Sequence, residues 1–166
     1  VPVVSGTTGW LQDYEKAVKI CKKEDSAFIY ASNFSPGMNI FFELNKKLAE
    51  IMNSTENYSV EIKEIHHLQK LDAPSGTAIT LAEQIIQKGQ KSAWVLGEAK
   101  ENEIPITAKR EENVPGTHEV SYNSEVDSIK IKHIAHSREG FALGAVMAAE
   151  WIIGKKGVFS MKDVLF

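Results

Sequence analysis

The segment Ile65-His66-His67-Leu68-Gln69-Lys70-Leu71-Asp72-Ala73-Pro74-Ser75-Gly76-Thr77-Ala78 concentrates groups that bind anions and move protons. A helix opening near Ser75 presents backbone N–H groups and the positive end of its dipole, an arrangement suited to a carboxylate. Lys70 and His67 can add positive charge beside it. His66 titrates near neutrality and can give up a proton. Gly76 lets a ligand approach the backbone, and Thr77 adds a hydroxyl. Taken singly, each has an ordinary structural reading. Ser75 caps the helix, Pro74 sits where a missing N–H costs nothing, Asp72 shapes the loop by an Asx-type turn, and Lys70 is a surface lysine. Together they point to a site that holds a small polycarboxylate and protonates it.

The flanking elements must position this segment. Val60 and Ile62 alternate with Glu61 and Lys63, which predicts a half-buried strand delivering His66 and His67 at its end. Adjacent strand residues point to opposite faces, so the two histidines do not form a natural metal pair; no metal is expected. A helix is predicted from Ser75 to about Lys88, with Ala78, Leu81, Ala82, Ile85 and Ile86 inward. Another runs through Met38, Phe41, Phe42, Asn45, Leu48, Ala49 and Met52, a core stripe at helical spacing. Strands are expected at Pro105 to Arg110, His118 to Asn123 and Ser128 to His133, with Lys130 and Lys132 solvated. The middle of the chain thus reads as an α+β unit of one sheet and two helices.

The ends differ. Val1 to Ser5 reads as a buried strand entering the turn Gly6-Thr7-Thr8-Gly9. A helix should follow at Asp13 to Lys23, then a strand at Ala27 to Ala31. This is part of a βαβ pattern without its first half, so the chain is expected to be truncated at its N-terminus. The apolar run Phe141 to Ile153 predicts a final helix, well buried. If residues 1–36 and 137–166 lack sheet partners, their apolar faces should be exposed or mispaired.

Over 166 residues, 43% apolar and 25% charged residues with a net charge of −3 describe an ordinary globular chain. That balance argues against nucleic-acid binding. Cys21 is the single cysteine, which excludes an internal disulfide and a cysteine-pair zinc site. The longest apolar stretch is too short to span a bilayer. A soluble, cytoplasmic protein with no membrane partner is expected.

Three stretches carry a resemblance: Val4-Ser5-Gly6-Thr7-Thr8-Gly9-Trp10, Ala31-Ser32-Asn33-Phe34-Ser35-Pro36-Gly37-Met38-Asn39, and His66 to Ala78. With Gly116-Thr117-His118-Glu119-Val120 and His133 to Arg138 followed by Phe141 to Val146, they resemble bacterial dihydrodipicolinate reductase, the 4-hydroxy-tetrahydrodipicolinate reductase of lysine and diaminopimelate synthesis. The likeness covers essentially the whole chain, as the later part of a longer enzyme. It implies an α/β protein: residues 1–36 are the remnant of a Rossmann-type dinucleotide-binding domain, 37–136 an α+β substrate and tetramerisation domain with a mixed sheet and two helices, and 137–166 a helix returning to the first domain.

The resemblance places His66 and Lys70 on the catalytic histidine and lysine, and His67, Gly76 and Thr77 on substrate contacts, with Ser75 beside them. Gly6, Thr7 and Thr8, then Ala31, Ser32, Asn33 and Phe34, fall on the segments that hold the nicotinamide end of NADH or NADPH. The family's substrate is a cyclic imine with two carboxylates: water leaves, a hydride reaches ring C4, and C3 is protonated. A homotetramer is implied. The family's glycine-rich pyrophosphate loop is not in this sequence, and with it goes the part that distinguishes NADH from NADPH. Ser32, and Arg110-Glu111 in place of an Arg-x-Gly, depart from the pattern but are expected not to touch the catalytic set. Alternatives are a non-catalytic fragment that binds dicarboxylates and oligomerises, and a metal-dependent hydrolase using His66 and His67.

Overall fold

The computed structural model describes residues 1–7, 9–55, 57–89 and 91–166. The chain divides into two compact units, Val1–Asn39 with Arg138–Phe166, and Ile40–Ser137.

The first unit is a three-stranded parallel sheet. Strand β1 (Val3–Ser5) and strand β8 (Gly157–Phe159) flank the central strand β2 (Ala27–Tyr30). A 3-10 turn at Leu11–Asp13 leads into helix α1 (Tyr14–Lys23), the crossover that lets β1 and β2 run parallel. Helix α4 (Glu139–Trp151) and helix α5 (Met161–Leu165) complete the unit. Its core gathers Ala27, Ile29, Phe34, Ala148, Ile152 and Met161.

Two expectations fail here. The opening strand is not buried: Val3 is 51% exposed, because β1 is an edge strand, paired among the described residues with β2 alone. Nor is α4 well buried. Only Gly144 and Ala148 are inside, while Leu143 and Val146 are exposed. Apolar residues all round gave the helix no preferred face; small residues one turn apart set it. A Cβ at Gly144 would lie 1.8 Å from the Phe34 carbonyl oxygen, so the helix backbone passes directly over that loop. Ile20 and Ile153 are likewise exposed on this unit.

The second unit is a mixed five-stranded sheet, in order β4-β5-β3-β6-β7. These strands are β3 (Ser59–His66), β4 (Ala93–Leu96), β5 (Glu103–Arg110), β6 (Gly116–Asn123) and β7 (Ser128–Ala135). β4, β5 and β3 run parallel; β6 and β7 are antiparallel to their neighbours. Four-residue β4, three-residue β8 and five-residue α5 were not expected from the sequence, being too short for a readable period.

Helix α2 (Pro36–Met52) and helix α3 (Gly76–Lys88) contribute the expected stripes: Phe41, Phe42, Ala49 and Met52 from one, Ala78, Leu81, Ala82 and Ile85 from the other. Asn45, fully buried in the α2 stripe, donates to the Leu81 carbonyl and the Gln84 side chain and so fixes the helix pair. Strand β3 is the centre of the sheet, and its burial alternates strictly from Val60 to His66.

Candidate active site

That alternation puts Val60, Ile62, Glu64 and His66 on one face. Glu64 is therefore directed inward and is fully buried. Strand register adds two residues distant in sequence. Glu64 lies opposite His118 on β6, and His66 opposite Arg110 on β5. The sequence reading assigned no role to Glu64 or His118, and expected Arg110 not to touch the catalytic set.

The Glu64 carboxylate organises the cluster. Both of its oxygens accept from the Ser75 N–H at 3.1 Å, and Oε1 accepts from the Arg110 guanidinium at 3.3 and 3.4 Å. Oε2 lies 3.4 Å from His66 Nδ1 and 3.8 Å from His118 Nε2. At 3.4 Å the His66 contact is close but short of hydrogen-bond geometry, which leaves Nδ1 buried without a hydrogen-bond partner. The two imidazoles meet edge to face, with centroids 5.0 Å apart.

Arg110 corrects the sequence expectation. Beyond Glu64, it donates to the carbonyls of Lys70 (3.2 Å) and Asp72 (2.5 Å), and the Glu111 N–H donates to the His66 carbonyl. Its fork thus pins the loop that carries Lys70 to the sheet end that carries His66.

Burial lowers the His66 pKa most, with Lys70 and Arg110 adding to the effect; Glu64 and Asp72 oppose it. His118 is pushed down to about 3, chiefly by burial and then by the charges of His66, His133 and Lys70. It is a neutral ring whose Nε2 sits 3.2 Å from the Ser75 hydroxyl.

Ser75 caps α3: its Oγ accepts from the Ala78 N–H. It is 2% exposed, with its N–H held by Glu64 and its hydroxyl engaged by Ala78 and His118, so it shapes the helix start from within. Gly76 is exposed, and a Cβ there would meet nothing within 4 Å. The fold does not require glycine at that position. The Lys70 ammonium binds both Asp72 carboxylate oxygens at 2.8 and 2.9 Å, which holds the Asp72 carboxyl below its ordinary range. Asp72 thus pairs with the lysine through its side chain, where an Asx-type turn was expected. His67 is half-buried, with Nδ1 3.1 Å from the Gln69 amide oxygen. Thr77 is half-buried on the first turn of α3.

Among the described residues, Glu64, His66 and His118 bring ligating atoms within 4.8 Å of one another. The set lacks His67, on which the hydrolase reading depended, and it supplies a carboxylate that reading lacked. Arg110 already sets a positive charge against Glu64, and both Glu64 oxygens are hydrogen-bonded.

In the first unit, Gly6 and Ala31 directly follow β1 and β2 at their adjacent C-terminal ends, and the Ala31 N–H donates to the Ser5 carbonyl. A Cβ at Gly6 would come within 3.1 Å of the Phe34 ring. Asn33 is braced from both sides: its Oδ1 accepts from the Ser35 N–H and its carbonyl from the Asn39 amide. Thr7 and Ser32 are exposed, and Thr8 lies outside the described residues. Loops at the carboxyl ends of adjoining parallel strands are where open α/β sheets bind nucleotides.

The family described as dihydrodipicolinate reductase, C-terminus, matches residues 37–165. The chain is 69% identical over 166 residues to the 4-hydroxy-tetrahydrodipicolinate reductase of Christiangramia forsetii, covering 99% of this chain and 70% of that protein. It is 37% identical over 171 residues to the enzyme of that name from Methanosarcina acetivorans, covering 99% and 64%. Dihydrodipicolinate reductase from Paenisporosarcina sp. TG-14, solved with dipicolinate bound, superposes with a TM-score of 0.71 at 26% identity, covering 96% of this chain and 63% of that one. The chain therefore spans about two thirds of the length of these relatives. A family match that takes in all of the second unit and most of the C-terminal part of the first, with high identity along the full chain, establishes that this protein belongs to the dihydrodipicolinate reductase family.

Proposed function

We propose that this chain provides the substrate site and the nicotinamide end of the coenzyme site for NADH- or NADPH-dependent reduction of 4-hydroxy-tetrahydrodipicolinate in lysine and diaminopimelate biosynthesis. The observation that carries the proposal is the joining of Lys70, His66 and the α3 N-terminus by Glu64 and Arg110. A carboxylate ligand suits a helix N-terminus beside the Lys70 ammonium, and the Paenisporosarcina relative was solved with dipicolinate.

In this reading the first turn of α3, at Gly76 and Thr77, receives one substrate carboxylate, with Ser75 holding the turn in shape. Lys70 and His67 add charge-assisted hydrogen bonds. Lys70 must exchange Asp72 for the substrate, and the exchange keeps its charge matched throughout. Bound NADH or NADPH supplies a hydride. Gly6, Thr7 and Thr8 with Ala31, Ser32, Asn33 and Phe34 orient its nicotinamide end. His66 gives a proton to ring C3. In the free protein burial favours its neutral form; a bound dianion reverses the balance by favouring the imidazolium. The ring thus becomes an acid when substrate is present.

Residues 1–36 and 137–166 belong with the coenzyme and 37–136 with substrate and assembly. The family's homotetramer would use the sheet face opposite α2 and α3, where Ile134 is 49% exposed. No helix among the described residues is long and apolar enough to cross a membrane, and a biosynthetic role of this kind belongs in the cytoplasm.

Dipicolinate added to the chain should raise its Tm in a concentration-dependent way, since a ligand selective for the folded state stabilises it. Lys70→Ala should abolish the rise. His66→Gln should keep the rise while lowering kcat far more than it raises KM. An unchanged Tm with wild-type protein refutes the proposal. A Tm rise without coenzyme oxidation identifies a dicarboxylate-binding domain in place of an enzyme.

A further inference from the structure

Among the described residues, Glu64 is the one fully buried carboxylate that reaches both the proposed proton donor and the proposed anion site. We infer that Glu64 is a positioning residue for the reaction: it fixes Nδ1 as the protonated nitrogen of neutral His66, so that Nε2 gains and gives up the transferable proton, and it ties that ring to the N-terminus of α3. This inference rests on the functional reading above and deepens it.

Four observations carry it. The Nδ1 of His66 is buried, faces Glu64 Oε2 at 3.4 Å and has no hydrogen-bond partner, so an anionic acceptor stands where only a proton on Nδ1 would be satisfied. The opposite tautomer would set a ring lone pair against a carboxylate. Arg110 and the Ser75 N–H hold the carboxylate still, which turns its charge into a fixed direction. At the other end of the ring, Nε2 lies over Gly116, where a Cβ would come within 3.2 Å. A side chain there would crowd the nitrogen that must exchange a proton. A carboxylate behind an imidazole selects its tautomer and stabilises the imidazolium, a general arrangement in acid–base sites.

The surroundings set the sign of the effect. From β3, Glu64 faces His66; from β6, neutral His118; from β5, Arg110; from the following loop, Lys70 and Asp72. Burial, Lys70 and Arg110 disfavour the imidazolium, and Glu64 is the stronger of the two groups that favour it. Without Glu64 the ring should stay neutral to lower pH even with a dianion bound.

The test uses the chain labelled with 15N in its histidine side chains. In free wild-type protein above the His66 midpoint, the ring should carry its proton on Nδ1. A proton on Nε2 overturns the inference. With dipicolinate saturating, the His66 midpoint of Glu64→Gln should fall about one unit or more below that of wild type. An unmoved midpoint in a folded variant also overturns it. Should Glu64→Gln not fold, the wild-type tautomer decides alone. A wild-type His66 that ignores dipicolinate refutes the functional reading, and the tautomer still tells whether Glu64 orients the ring.

Discussion

Replacing Gly76 with alanine separates what the fold needs from what a ligand needs. The Cβ of Gly76→Ala would meet nothing within 4 Å, and Gly76 has no left-handed backbone angle that would make a side chain costly. Alanine also exceeds glycine in helix propensity by up to about 1 kcal/mol, less at a first-turn position. Stability should therefore hold or rise slightly. A carboxylate approaching the first turn would meet a methyl group where the backbone had been bare. Losing one charge-assisted hydrogen bond costs about 1.5–3 kcal/mol, which corresponds to about ten- to hundred-fold weaker binding. Calorimetric titration with dipicolinate, beside thermal denaturation of each protein, reads both quantities. Equal affinity in wild type and Gly76→Ala, with unchanged Tm, would refute a ligand seated on the α3 N-terminus.

Lys70→Ala should weaken dipicolinate binding at least as much while barely changing Tm, because its partner Asp72 is largely exposed; a calorimetric titration checks this. Gly144→Ala should destabilise the first unit by about 1–3 kcal/mol or more, measured by urea denaturation, because the methyl group would overlap the Phe34 carbonyl. Stability should fall as pH drops below about 6.5, since unfolded His118 binds a proton that the folded ring, with its pKa near 3, refuses. The slope from this group approaches about 1.4 kcal/mol per pH unit, and His118→Gln should flatten the urea midpoint between pH 6 and pH 5.

Much of the site was legible because it is contiguous. One strand end, one loop and one helix start carry His66, Lys70, Ser75, Gly76 and Thr77, and local patterns locate all three elements. The organising groups were harder to see. His118 and Arg110 reach the site only through the register of β6 and β5 against β3, and sequence spacing does not encode register. Glu64 is different: it shares the parity of Val60, Ile62 and His66, so the alternation that identified the strand also directs this carboxylate inward. A charge on the buried face of a central strand was the signal for it. The exposure of α4 had a signal too, in Gly144 and Ala148 one turn apart, though neither shows which backbone the helix would meet.

Titrating the labelled chain with dipicolinate and mapping where its resonances move locates the ligand directly. The largest shifts should fall on the Gly76 and Thr77 amides, the Lys70 side chain and the His66 ring. Shifts centred instead on the cavity of about 430 Å³ at the far end of α3, lined by Met52, Tyr58, Gly89 and Tyr122, would contradict a substrate site at the α3 N-terminus.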